Sequence, residues 1–173
     1  AKENFRFVNS FLGIAGPLIR KYNGFVDKYI GDAVMALFID ADAAVKTGIE
    51  LYKEIVVNDD TSISVGMDKI NIGIGIHSGM TMLGIIGENE RLSSTVISNN
   101  VNLTSRLESL TKLYNTGMII SRDTLDRLKD STEFNMRFLG MIQVAGVNEV
   151  KALFEVLDAL DEKRRMSRLA TKE

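Results

Sequence analysis

The chain has 173 residues, 45% of them hydrophobic and 25% charged, and a formal net charge of −2. That suits one globular domain with a substantial core and argues against a nucleic-acid backbone as the main partner. There is no cysteine, which excludes disulfides, thiolate metal sites and cysteine nucleophiles, and the single histidine, His77, argues against zinc. No apolar stretch nears the roughly 20 residues of a membrane helix and no signal-peptide pattern opens the chain. A cytoplasmic location is expected, either alone or as the soluble domain of a larger or membrane-anchored protein. The sequence begins inside a helical pattern, which predicts a fragment of something longer.

Residues 3–22 place Phe5, Val8, Phe11, Leu12, Ala15, Leu18 and Ile19 at spacings of three and four, one face of a helix. Asn23-Gly24 then stops it. Strands are predicted over 25–30 and 33–38, and a second amphipathic helix from Asp42 to Val57. "NDDTSISVGMD" reads as a surface loop. "KINIGIGIHSG" and "MTMLGIIG" are β-branched runs separated by Ser78-Gly79, which predicts a second strand pair. Glycines inside such runs, Gly73, Gly75 and Gly84, fit places where another backbone or a ligand comes close.

"ENERLSS" reads as an exposed loop before a short strand at Thr95 to Ile97. Ser98-Asn99-Asn100 offers caps for a helix from Val101 to Tyr114, with Val101, Leu103, Leu107 and Leu110 on its apolar side. "GMIIS" predicts a strand, "RDTLDRLKD" a short helix, and residues 134–146 with 150–160 a terminal strand pair. The tail from 161 to 173 is charged and expected to be solvated and loosely ordered.

The order helix, strand, strand, helix, strand, strand, helix, strand predicts an α/β (α+β) fold. It lacks only a leading strand to resemble a ferredoxin-like βαββαβ core with additional C-terminal strands. That first strand would precede residue 1. Residues 1–160 form one domain on this reading, and 161–173 its charged tail.

Four positions invite a chemical reading. Asp32, at the tip of a tight turn, is either plain turn chemistry or an exposed carboxylate on a rigid mount, as magnesium is often held. Lys28 sits mid-strand, on the same face as Val26 and Ile30 by alternation, where a buried ammonium is costly; it either snorkels to water or meets a ligand. Asn102 and Arg106 are four apart and share a helical face. They are either a cap and a surface arginine or an amide beside a guanidinium fork suited to phosphate oxygens. His77 reads as structural, and the eight methionines, such as Met80 and Met82, as core filler.

"NGFVDKYIGDAVMALF", "IGIGIHSGMTMLGIIG" and "TVISNNVNLTSRLESLT" together resemble, in order and separation, the class III nucleotidyl cyclases, the family of adenylyl and guanylyl cyclase catalytic domains. The resemblance covers nearly the whole chain. It implies conversion of ATP to 3',5'-cyclic AMP and pyrophosphate by two-metal-assisted attack of the ribose 3'-hydroxyl on the α-phosphate. Asp32 would be one of two aspartates binding two ions, Mg²⁺ or Mn²⁺. The second belongs to the strand before the first helix and is absent from this chain. Lys28 would read the purine with Thr95 as its partner, a pair suited to adenine's N1 acceptor and N6 donor. Asn102 would orient the ribose and Arg106 would stabilise charge on phosphorus. The resemblance also implies a homodimer with composite sites at the interface, ATP as partner and no nucleic acid, with Lys28 and Asp32 pointing apart toward different sites.

One departure is the segment "VAGV", where many family members carry a "VKGK"-like lysine for the terminal phosphates. Lys151 is a candidate substitute. The departure and the absent aspartate keep a second function open, a non-catalytic dimerisation or nucleotide-sensing module. A guanylyl cyclase ranks third, disfavoured by Lys28.

Overall fold

The computed structural model describes residues 2–58, 71–88, 91–97, 99–143 and 149–170, with the backbone alone over 2–7, 82–88 and 91–97. The first helix, α1 (Lys2–Lys21), buries Phe11, Ala15 and Ile19, the face that the apolar spacing predicts. It stops where Asn23 takes a left-handed φ of 58° and Gly24 N–H reaches back to the Ile19 carbonyl at 2.9 Å. Strands β1 (Phe25–Ile30) and β2 (Ala33–Leu37) form the expected antiparallel hairpin, turning at Gly31, whose φ is +63°. Helix α2 (Ala41–Tyr52) is capped by Asp40, whose carboxylate accepts from the backbone of Asp42 and Ala43, and runs into a π-helical turn, Lys53–Val57. The predicted loop after it falls mostly on residues 59–70, outside the described residues.

The next segment departs from the expected strand pair. Strand β3 (Ile74–Ile76) pairs in parallel with β6 (Met118–Ser121), while β4 (Met82–Glu88) pairs antiparallel with β5 (Arg91–Ile97). Ser78-Gly79 is therefore no hairpin turn, and "ENERLSS" lies largely within a strand pair rather than a loop. The ladder from Met82–Ile97 to Glu88–Arg91 supplies the order that the polar sequence does not announce.

Helix α3 (Asn99–Leu113) then leads to β6. A short helix, α4 (Arg122–Leu125), covers only the start of the predicted one. Strands β7 (Met136–Gln143) and β8 (Val150–Val156) form the expected terminal pair. The charged tail is more ordered than expected: α5 (Glu162–Ala170) packs Leu169 on the core, and Arg168 Nη2 donates to the Asn115 carbonyl at 2.7 Å.

The result is a mixed α/β fold with a four-stranded sheet ordered β3-β6-β8-β7 and two separate strand pairs. Fully buried β6 separates two apolar layers. Met118 and Ile120 face α1 and α2, and Ile119 joins Leu103 and Leu107 of α3, because successive side chains leave a strand on opposite faces. The sheet also buries an ion pair. Arg137 Nε and Nη2 donate to Glu155 Oε2 at 2.9 and 2.7 Å, and Thr116 Oγ1 donates to Oε1 at 2.6 Å.

Candidate active site

Helix α3 can lie directly on β3 because the strand carries Gly75. A Cβ there would stand 2.7 Å from the Thr104 carbonyl oxygen and closer still to the Glu108 nitrogen. A Cβ at Gly73 would run into the side-chain hydroxyl of Thr111 and stand 3.2 Å from the Glu108 carbonyl oxygen. The close backbone approach expected from these two glycines is therefore present, and what approaches is α3. Gly84 sits in β4 directly across from Thr95 of β5.

With its inner face so fixed, α3 turns Asn102 and Arg106 outward, both exposed. Arg106 Nη1 donates to the carbonyl of Gln143 at 2.8 Å, at the end of β7. The "VAGV" segment that follows lies outside the described residues. Lys151, the candidate substitute for its lysine, is committed elsewhere: its ammonium binds Asp123 at 2.8 Å and Glu149 at 2.5 Å, with 14% of the side chain exposed. Hydrogen bonds to these two carboxylates raise its pKa. Burial pushes the Asp123 carboxyl up, but Lys151 and His77 outweigh it and hold it below the usual value.

Behind the start of α3 lies His77, 3% exposed. Asn100 Nδ2 donates to the Met80 carbonyl at 2.7 Å, which leaves Oδ1 as its acceptor. His77 Nε2, 3.1 Å away, therefore carries the proton, and Nδ1 accepts from Ser121 Oγ at 2.8 Å. Desolvation lowers its pKa, opposed in part by the Asn100 hydrogen bond and by Asp123. The structural role expected for His77 holds, and Asn100, Ser121 and Asp123 are the partners that spacing alone did not reveal.

On the hairpin, alternation fails at one point. Val26 faces Ala36 but Lys28 faces Met35, so a β-bulge at Asp27 moves Lys28 off the face of Val26 that alternation assigned to it. Val26, Ala36 and Val34 pack on the core. Lys28 faces the other way, its side chain 33% exposed and its ammonium 3.2 Å from Asp27 Oδ2. Strand β5, which carries Thr95, runs close beside β1. The side chain of Thr95 lies outside the described part.

Asp32 sits exposed at the hairpin turn and makes no ion pair or hydrogen bond among the described residues, so it does not bridge to Lys28. Among those residues no group of three His, Asp or Glu side chains gathers to hold a metal. One exposed carboxylate fits the mode in which magnesium takes one or two protein carboxylates together with substrate phosphates. It does not close a protein-only site. Among the described residues no helix is long and apolar enough to cross a membrane.

Comparison with known proteins places this arrangement in a family. Residues 2–157 match the family described as "Adenylate and Guanylate cyclase catalytic domain". The chain is 38% identical to an adenylate cyclase of Anabaena cylindrica over 89% of its own length and 32% of that protein. It is 34% identical to the terminal-differentiation-specific adenylate cyclase of Dictyostelium discoideum over 94% of its length and 8% of that protein. It thus spans about a third or less of these two relatives. Among solved structures, the adenylyl cyclase CyaB from P. aeruginosa superposes with a TM-score of 0.78 at 31% identity, over 95% of this chain and 86% of that one. The guanylyl cyclase Cya2 gives 0.76 at 28% identity, over 90% and 81%. From the glycine-seated α3 to the Gly31-Asp32 hairpin, this chain belongs to the adenylate and guanylate cyclase catalytic domain family.

Proposed function

We propose that the chain is the catalytic domain of an adenylyl cyclase, which closes ATP to 3',5'-cyclic AMP and releases pyrophosphate. The observation that carries this reading is Lys28, turned away from the core on a strand beside the one that bears Thr95. An ammonium offers three donors and no acceptor, so it suits the N1 acceptor of adenine and opposes the N1–H of guanine. Relatives of both base preferences share the fold, and the Anabaena and Dictyostelium relatives and the CyaB structure, each above 30% identity over most of the chain, are named adenylate or adenylyl cyclases.

In the reaction the ribose 3'-oxygen loses its proton and bonds to the α-phosphorus, and the bond from that phosphorus to the pyrophosphate oxygen breaks. Arg106, exposed on a firmly seated helix, would meet the charge that gathers on the phosphoryl oxygens. Asn102, one turn earlier, would orient the ribose. Asp32 would hold magnesium or manganese against the phosphates, and the ion when bound supplies charge neutralisation and activation of the hydroxyl. Exposed Phe25, Tyr29 and Ile30 on β1 support a homodimer in which a second copy completes each site.

Incubating the full-length protein with ATP or GTP and Mg²⁺ or Mn²⁺ tests this directly. Cyclic AMP formed in preference to cyclic GMP is expected. No cyclic nucleotide at high protein concentration overturns the reading in favour of a nucleotide-sensing module. The engaged state of Lys151 is the observation favouring that second reading, since it leaves the ammonium on Asp123 and Glu149 instead of on phosphate.

A further inference from the structure

Asp27 is the extra residue of the bulge in β1. It has no opposite number in a ladder that pairs Val26 with Ala36 and Lys28 with Met35. In a regular strand Asp27 and Lys28 would leave on opposite faces. At the bulge two consecutive residues stand against one, and both side chains come to the same side, Asp27 Oδ2 lying 3.2 Å from Lys28 Nζ.

The Asp27 side chain is only 1% exposed, and neither of its carboxylate oxygens accepts a hydrogen bond among the described residues. The contact with Lys28 is an ion pair whose angles fall outside hydrogen-bond geometry. Burying a carboxylate without donors is costly. An apolar residue would fill the same space without that penalty, so the hairpin's stability does not account for a charge here.

We propose that Asp27 is a positioning residue for purine choice: its buried carboxylate fixes the Lys28 ammonium at the place where the base edge arrives. This rests on the reading of Lys28 as the residue that meets the purine. Lysine is a point charge on a flexible four-carbon stem, and such a charge discriminates between bases only if it is held. Asp27 holds it from the buried side, and about a third of the Lys28 side chain reaches the surface. Held so, the ammonium cannot withdraw when a base presents N1–H. A site whose polar group is left unsatisfied by the wrong substrate is the kind that discriminates strongly.

The test measures kcat/KM for ATP and for GTP in the full-length protein and in Asp27→Asn, Lys28→Met and the double variant. Asp27→Asn is expected to lower the ATP-to-GTP ratio about tenfold, chiefly through KM for ATP, and to add nothing once Lys28 is methionine. A ratio that moves in Lys28→Met but stays within about twofold in Asp27→Asn overturns the role of Asp27 and leaves the base-reading role of Lys28 standing; so do single effects that add in the double variant. A ratio unmoved in Lys28→Met overturns both. If circular dichroism shows Asp27→Asn unfolded, Asp27→Glu replaces it, with a smaller shift in the same direction expected and an unchanged ratio counting against the proposal. Where turnover is too slow to follow, the Kd values of the two nucleotides give the same comparison.

Discussion

His77 donates from Nε2 to Asn100 Oδ1 across 3.1 Å, and Asn100 stands in the first turn of the helix that carries Asn102 and Arg106. The imidazole is buried neutral, its pKa lowered chiefly by desolvation from an ordinary 6.5. An unfolded chain therefore takes up a proton on this residue at a higher pH than the folded one does. Stability from His77 is fully present above about pH 6.5 and is lost as pH falls toward the lowered folded value. Urea unfolding between pH 7.5 and 5 should show falling stability that flattens in His77→Gln; an identical profile in the variant would remove His77 as the cause.

The ion pair of Glu155 and Arg137 lies inside the sheet, with Glu155 fully buried. Arg137→Met leaves that carboxylate with only the Thr116 hydroxyl and should cost roughly 3–5 kcal/mol in urea unfolding. Replacing both, Arg137→Met with Glu155→Leu, should recover most of the loss, because the uncompensated charge goes with the partner. A double variant no more stable than the single would show that packing, not charge, sets the effect.

Two glycine substitutions should move stability in opposite directions. Gly75→Ala drives a methyl group into the backbone of α3 and should destabilise by about 1–3 kcal/mol. Gly13, on the exposed side of α1 with open space around it, should gain roughly 0.5–1 kcal/mol as alanine. Melting temperatures decide both, and equal shifts would contradict the close seating of α3.

Arg106→Ala should lower kcat by on the order of 10²–10³ with little change in KM, the pattern of a contact made in the transition state. Arg106→Lys should not restore it, since one ammonium cannot reproduce the fork. A lysine variant with wild-type kcat would argue that only charge matters. Lys28→Glu should weaken the preference for ATP over GTP in the same assay.

What could be read in advance followed from local physics. Helix α1 announced itself by spacing and ended at Asn23, one of two non-glycine residues described with positive φ. The Gly31-Asp32 turn, the helix of Asn102 and Arg106 and the terminal pair of β7 with β8 were legible for the same reason. The parallel pairing of β3 with β6 was not, because it joins residues more than forty positions apart and nothing in "IGI" names its partner. Only the end of β5, Thr95 to Ile97, was legible as a strand; its first part was not, because "RLSS" lacks apolar alternation. The bulge at Asp27 was hidden because an extra residue in a strand leaves no mark on composition, yet it decides which way Lys28 faces. Lys151 looked available only because its partners, Asp123 and Glu149, come together in the folded chain.

Gly75 of β3 and Gly73 just before it divide α3 into two regions with different freedom to change. Its inner side tolerates hardly a methyl group at Gly73 or Gly75, whereas Asn102, Ser105, Arg106 and Ser109 stand in solvent. Substitutions on the outer side can alter what the helix offers a nucleotide without unseating it. In this fold, chemistry on α3 can diverge while the architecture beneath it stays constant.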